Sequence, residues 1–179
     1  MPTTILAWQT ANSIAALAAG ADWADVTVLG IGERAGNARL EEVAGDLTVG
    51  RQCLYQLEAF APLAKNVAHI SGITIEPNHP VIGDKIFHCE TGLHLQGLKR
   101  DPETYEPFPP ELVGARRKLL FGSKVGRQEI RDYLSDMGEH PSLHRLEWLV
   151  KEVRNAATDL CRPLQQEELT VLLVILQYG

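Results

Sequence analysis

Two stretches of this chain carry residue types at spacings that suit chemistry. In one, Phe87-His88-Cys89-Glu90-Thr91-Gly92-Leu93-His94 runs on towards Thr104-Tyr105-Glu106-Pro107-Phe108. Imidazole is the side chain most easily poised near neutral pH, and a phenol can donate to a developing oxyanion. His94 and Tyr105 are therefore candidates for an acid–base pair. On residue types alone a surface loop with a His and a packed aromatic is the better-supported reading, since motifs this short recur by chance. The other stretch is Thr27-Val28-Leu29-Gly30-Ile31-Gly32-Glu33-Arg34-Ala35-Gly36-Asn37, followed by Leu40-Glu41-Glu42-Val43. It places Glu33, Arg34 and Asn37 on a glycine-rich loop. The alternative is a turn of left-handed conformations with a solvated Glu33–Arg34 pair. His88, Cys89 and His94 have no fourth ligand spaced to complete a metal cluster. His69 and His79 show no ligand spacing either.

The elements that must position these residues follow from the pattern. Residues 6–19 read as a helix rich in Ala, Leu and Ile, with Gly20 where a terminating glycine belongs. Residues 25–29, Asp-Val-Thr-Val-Leu, read as a buried strand that runs straight into Gly30-Ile31-Gly32. A helix starts near Asn37, an N-cap type, and carries Leu40, Val43 and Leu47. Helix–strand–loop–helix is the grammar of a parallel α/β unit, and a lone parallel strand needs neighbours. Residues 50–72 read as a further helix with Leu54, Leu57, Phe60, Leu63 and Val67 on one face, in which Pro62 begins a second segment. Residues 73–80 read as an extended linker, and residues 81–87 as a short strand or extended entry to the His94 stretch. Residues 106–114 are Pro-rich and irregular. Amphipathic helices follow over residues 128–137 and 142–157. A last helix over 163–177 is led by Pro and acids, and its apolar run at 169–176 suits a buried face.

Composition narrows the function classes. The chain has 179 residues and a net charge of −6, without a basic stripe, which disfavours nucleic-acid binding. Cys53, Cys89 and Cys161 are odd in number and scattered, which fits neither a disulfide framework nor a structural zinc site and points to a reducing cytoplasm. The Ala-rich start and the apolar end are too short to span a membrane, and the start lacks the basic leader of a signal peptide.

The two stretches together resemble the homocitrate synthase / 2-isopropylmalate synthase family. The His94 stretch is similar to that family's His-Glu-Ser-Gly-Ile-His … Thr-Tyr-Glu-Pro-Phe block. The Gly30 stretch matches its Gly-x-Gly-Glu-Arg-x-Gly-Asn loop almost letter for letter, and the blocks fall in the family's order. The likeness runs over residues 10–126 and more weakly beyond. It implies a C-terminal portion only. Thr-Tyr-Glu-Pro-Phe resembles the nitrogen-fixation type of homocitrate synthase, whose oxo acid is 2-oxoglutarate.

The resemblance implies a fold of α/β plus α. It would be the terminal helix–strand–helix piece of a (β/α)8 barrel, followed by a linker and small, mostly helical C-terminal subdomains. Segments are then expected at 1–72, 73–118 and 119–179, with His94 and Tyr105 in the second. The implied reaction is a Claisen-type condensation of acetyl-CoA with a 2-oxo acid. His94, Tyr105 and Glu33 would be catalytic, Arg34 and Thr91 would bind substrate, and Asn37 would lie near a divalent metal (Mg, Mn or Zn) as part of an incomplete site. Thr3 stands where the family has the second histidine of its metal-binding pair, so the chain alone is expected to hold no metal. Cys89 replaces the first histidine of the block, with His88 displaced by one. Ser123-Lys124-Val125 replaces the usual Lys-His-Ser. Three readings follow: a subunit that needs a complementing N-terminal barrel and is inactive without it, a non-catalytic homologue that binds or regulates a full-length synthase, or a truncated product with no function of its own. Either of the first two implies a homo-oligomer or a hetero-oligomer with a barrel subunit.

Overall fold

The computed structural model describes residues 8–51, 55–90, 97–98 and 100–178. They gather into two compact units, residues 1–87 with 108–116, and residues 88–107 with 117–179. Segment 73–118 is thus shared between the two.

The first unit opens with α1, Gln9–Ala18. It packs inward through polar Gln9 and Ser13, and Ala15 and Ala16 face out. Gly20, at φ 101, turns the chain after it. The strand expected over 25–29 is shorter: β1 is Val26–Thr27. Leu29 adopts φ 58, a left-handed conformation that ends any strand and curls residues 28–30 into a 3-10 turn. β1 has a neighbour, β2 at Ala38–Arg39, paired in parallel with Val26 opposite Ala38 and Thr27 opposite Arg39. The next helix, α2, therefore spans Leu40–Arg51 rather than starting at Asn37, with Glu41 and Glu42 in its first turn. A 3-10 turn at Leu57–Ala59 leads into α3, Phe60–Ser71. Pro62 sits in the first turn of α3, where a missing N–H costs nothing. Leu63, expected on the inner face, is exposed, and Ala64 is buried in its place.

Residues 81–87 form no strand. Val81 has φ 68, and the chain coils back so that Gly83 N donates to His79 O and Lys85 N donates to Pro77 O. Val81, Ile82, Ile86 and Phe87 thereby reach the core with Leu29, Ala44, Leu57 and Ala64. Residues 108–116 complete it: Phe108 meets Phe87 edge-on, ring centroids 5.7 Å apart, and Val113 is buried in a 3-10 turn at Pro110–Val113.

The second unit is built on helices. β3, His88–Cys89, pairs in parallel with β4, Lys118–Leu119. Three helices follow, α4 at Arg127–Asp136, α5 at Leu143–Asp159 and α6 at Gln166–Tyr178. Their core joins Phe121, Ile130, Leu134, Leu146, Leu149, Val153 and Leu169. Phe121 meets Tyr133 edge-on at 5.0 Å and exchanges two backbone hydrogen bonds with Leu164, each 2.9 Å. Val125 is 2 % exposed, and its carbonyl accepts from the Arg154 guanidinium at 2.9 and 2.7 Å. The Ser123-Lys124-Val125 replacement thus puts a core residue where the resembled family has Ser. The apolar run of α6 buries one side only: Leu169 is enclosed, whereas Val171, Val174 and Ile175 are exposed. An apolar run longer than a helical turn must point some residues outward.

Candidate functional site

The loop at residues 30–37 is stitched into one shape by its own polar groups. Asn37 N donates to Gly30 O at 2.8 Å and closes the loop at its base. Asn37 Nδ2 donates to Ile31 O at 2.9 Å, and Thr27 Oγ1 donates to the same carbonyl at 2.7 Å. Gly36 N donates to Glu33 O at 2.9 Å. Gly36 has φ 91, and a Cβ there would overlap the Gly30 carbonyl oxygen, so only glycine fits. Arg34 takes φ 59, which bears out the left-handed turn read from the sequence. The loop is also gripped from outside. Gln9, 5 % exposed, donates through Nε2 to Ala35 O at 3.1 Å and Gly36 O at 3.3 Å.

This frame leaves its chemically capable side chains facing solvent. Glu33 and Arg34 approach each other at 3.5 Å with side chains 86 % and 49 % exposed. Asn37 lines a cavity of about 380 Å³ with Gln9, Thr10, Gly30, Arg39 and Glu42. Arg39 is anchored there by Glu42 at 2.7 Å, and its amide donates to Thr10 Oγ1 at 3.2 Å. Three of the sequence-selected residues, Glu33, Arg34 and Asn37, are therefore brought onto one loop.

Tyr105 belongs to the second unit. It ends a 3-10 turn at Pro102–Thr104, which is capped by the Asp101 carboxylate accepting from Glu103 N at 3.1 Å. The ring lies over Gly97, where a Cβ would overlap it, and is 43 % exposed. The next residue, Glu106, is fixed by a two-pronged pair with Arg117 at 2.7–2.9 Å. Such forked geometry is the strong form of an ion pair. Nothing in the sequence spacing marks Arg117 for this role. His94 and Thr91 lie outside the described residues.

Asn37 does not hold a metal by itself. Its amide nitrogen is engaged with Ile31 O, which leaves one carbonyl oxygen, and hard divalent cations take about six oxygen ligands. Among the described residues no cluster of three His, Cys, Asp or Glu side chains is arranged to add the rest. Also among the described residues, Cys161 is a thiol outside any disulfide, and no helix is long and apolar enough to cross a membrane.

Comparison with known proteins covers most of the chain. Residues 6–67 match the HMGL-like family, and residues 81–160 match the homocitrate synthase post-HMGL domain-like family. A homocitrate synthase of Frankia sp. is 43 % identical over 162 residues, 89 % of this chain and 40 % of the relative. A protein named as a 2-isopropylmalate synthase in Ignicoccus hospitalis is 43 % identical over 136 residues, 72 % of this chain and 33 % of its own length. The chain belongs to the homocitrate synthase / 2-isopropylmalate synthase family. An (R)-citramalate synthase of Methanocaldococcus jannaschii, 38 % identical over 147 residues, matches 81 % of the chain and 30 % of the relative. The chain spans about a third of the length of the curated relatives it matches, and the order of the two family matches fits a C-terminal portion. Members of the HMGL-like family generally use a divalent metal, and the synthases take acetyl-CoA and a 2-oxo acid. The HMGL-like match contains the whole of the 30–37 loop, and the second match contains Tyr105 and His94.

Proposed function

We propose that this chain supplies the C-terminal part of a homocitrate synthase-like acyltransferase. It would complete its site with an N-terminal barrel, as the terminal helix–strand–helix piece of that barrel and the helical subdomains that follow it. The observation that carries this reading is the 30–37 loop. Its backbone is locked by internal hydrogen bonds and by buried Gln9, while Glu33 and Arg34 project into solvent. A rigid frame with outward reactive groups is what positioning catalysis needs.

In the completed site a proton leaves the methyl group of acetyl-CoA. The resulting enolate carbon bonds to the keto carbon of the oxo acid, and the keto oxygen takes up negative charge and then a proton. Water then cleaves the thioester and releases CoA. The family's divalent metal, Mg, Mn or Zn, polarises the keto oxygen when bound. This chain's residues would move protons and orient substrates. His94 and Tyr105 serve as the acid–base pair, and Glu33 assists proton transfer. Arg34 binds carboxylate as a charged donor, Thr91 contributes a hydroxyl, and the Asn37 carbonyl would offer one oxygen to the metal in a completed site. Thr104-Tyr105-Glu106-Pro107-Phe108 supports the nitrogen-fixation type and 2-oxoglutarate as the oxo acid. The oligomer with the barrel chain is cytoplasmic in this reading, in keeping with the scattered thiols.

The test is CoA release from acetyl-CoA and a panel of 2-oxo acids with Mg²⁺ or Mn²⁺. This chain, an N-terminal barrel chain and their mixture are compared. Turnover in the mixture only, fastest with 2-oxoglutarate, is expected. A second reading, a non-catalytic partner of a full-length synthase, draws on Cys89 and on the core role of Val125. It is the outcome if the chains bind each other and no CoA is released.

A further inference from the structure

Glu41 occupies the first turn of α2 but, unlike its neighbour Glu42, is driven into the interior, 1 % exposed. A buried carboxylate is costly unless its oxygens are occupied. Oε2 accepts a hydrogen bond from the Leu29 amide at 3.2 Å. Oε1 lies 3.4 Å from His79 Nε2, a contact that does not complete a hydrogen bond. His79 is 8 % exposed, and its Nδ1 lies 3.0 Å from the Pro80 carbonyl. A carbonyl can only accept, so Nδ1 carries a proton. The imidazole is thus held at Nδ1 by the 79–83 turn and lies with Nε2 against the Glu41 carboxylate of α2.

What this carboxylate holds matters. Leu29, at φ 58, is the hinge where the chain leaves β1 and enters the loop. Side-chain-bearing residues persist in that conformation only when their surroundings enforce it. The left-handed turn directs the Leu29 amide to Glu41 instead of a strand partner. One residue later, Gly30 O receives the Asn37 amide that closes the loop. We propose that Glu41 is the positioning residue of the 30–37 loop, with His79 as its second anchor. The carboxylate fixes the Leu29 turn, and that turn aims Glu33, Arg34 and Asn37. The relevance to catalysis rests on the function proposed above, but the geometry is testable without turnover.

Amide hydrogen exchange by NMR on the intact chain tests it, comparing wild type, E41Q, E41L and H79L. Glutamine keeps a carbonyl oxygen for the Leu29 amide, and leucine keeps only bulk. In E41L the Leu29 and Asn37 amides exchange about tenfold faster, the size of one lost hydrogen bond to a charged acceptor. Amides of α3 change by less than about threefold, because local opening is separable from global unfolding. In E41Q Leu29 stays within about threefold of wild type. A role in packing alone reverses this ranking, with E41L protected at least as well as wild type, and that result overturns the proposal. If E41L does not fold, H79L decides. Freed of its second anchor, the carboxylate holds Leu29 less well and exchange there rises about threefold or more; an unchanged rate overturns the two-anchor arrangement. A mixture that releases no CoA while the exchange pattern holds would sink the proposed function and leave this assignment intact.

Discussion

The two units are held together by different chemistry. The buried polar residues among the described residues, Gln9, Ser13, Glu41 and His79, all lie in the first unit. The core of the second unit is apolar throughout, from Phe121 to Leu169. Apolar packing supplies stability without direction, whereas a satisfied buried polar group enforces one arrangement. The first unit accordingly maintains a loop with Leu29 and Arg34 at positive φ. The second builds a helical body in which Tyr105 is positioned by local turns and a surface fork.

This contrast can be broken from either side. The largest effect is expected in the apolar core, where Leu134 is 0 % exposed. Leu134→Ala should cost about 2–5 kcal/mol in denaturant unfolding followed by helical circular dichroism. The 30–37 loop should keep its amide protection, and loss of both would mean the units do not differ as described. Next is Gly36→Ala, which forces a Cβ into the Gly30 carbonyl at φ 91. It should cost about 1–3 kcal/mol and shift the amide resonances of residues 30–37, with little change in α4–α6.

Arg117→Ala comes third. It leaves Glu106, whose side chain is 9 % exposed, without its forked partner. A loss of about 1–2 kcal/mol is expected, less than for a fully buried pair because Arg117 is partly solvated, and the Tyr105 ring resonances should broaden or shift. The smallest effect is a pH dependence at the start of α6. The hydrogen bond from Arg162 and the amide of Gln165 hold the Glu168 carboxyl at about 2, below its ordinary 4.5. The same pair raises the Arg162 guanidinium, first through the hydrogen bond and then through charge. A lowered carboxyl stabilises the fold above its unfolded value, and that contribution fades as pH falls from 4.5 towards about 2. Acid titration by NMR should show the first turn of α6 loosening in that window. A Glu168 midpoint near 4.5 would remove the effect.

What the sequence made legible follows the same division. Helices α4, α5 and α6 are legible from apolar spacing and α1 from its Ala-rich run ending at Gly20, whereas the helix expected over 50–72 is shortened to α3, which starts at Phe60 after a 3-10 turn. The strand was read too long because Val-Thr-Val-Leu is strand-like locally, and nothing local says that Leu29 turns. That turn is enforced by Glu41, distant in sequence and in a position where an acid is ordinarily solvated. The coil at 79–83 was hidden for a similar reason, since Val81 at φ 68 defies its propensity. In the site, the letters Gly-x-Gly-Glu-Arg-Ala-Gly-Asn marked the loop, and the structure puts Glu33, Arg34 and Asn37 on it. The supporting roles of Gln9, Glu41, His79 and Arg117 are not legible in the sequence, where His79 shows only a lack of ligand spacing, because they arise from tertiary contacts.

The most direct measurement is CoA release by the mixture of this chain with an N-terminal barrel chain, run with wild type, Glu33→Gln and His94→Ala. Turnover by wild type only when both chains are present, falling about a hundredfold or more in each variant, is the predicted result. Equal turnover in all three, or none from the wild-type mixture while the chains associate, would contradict a catalytic contribution from this chain.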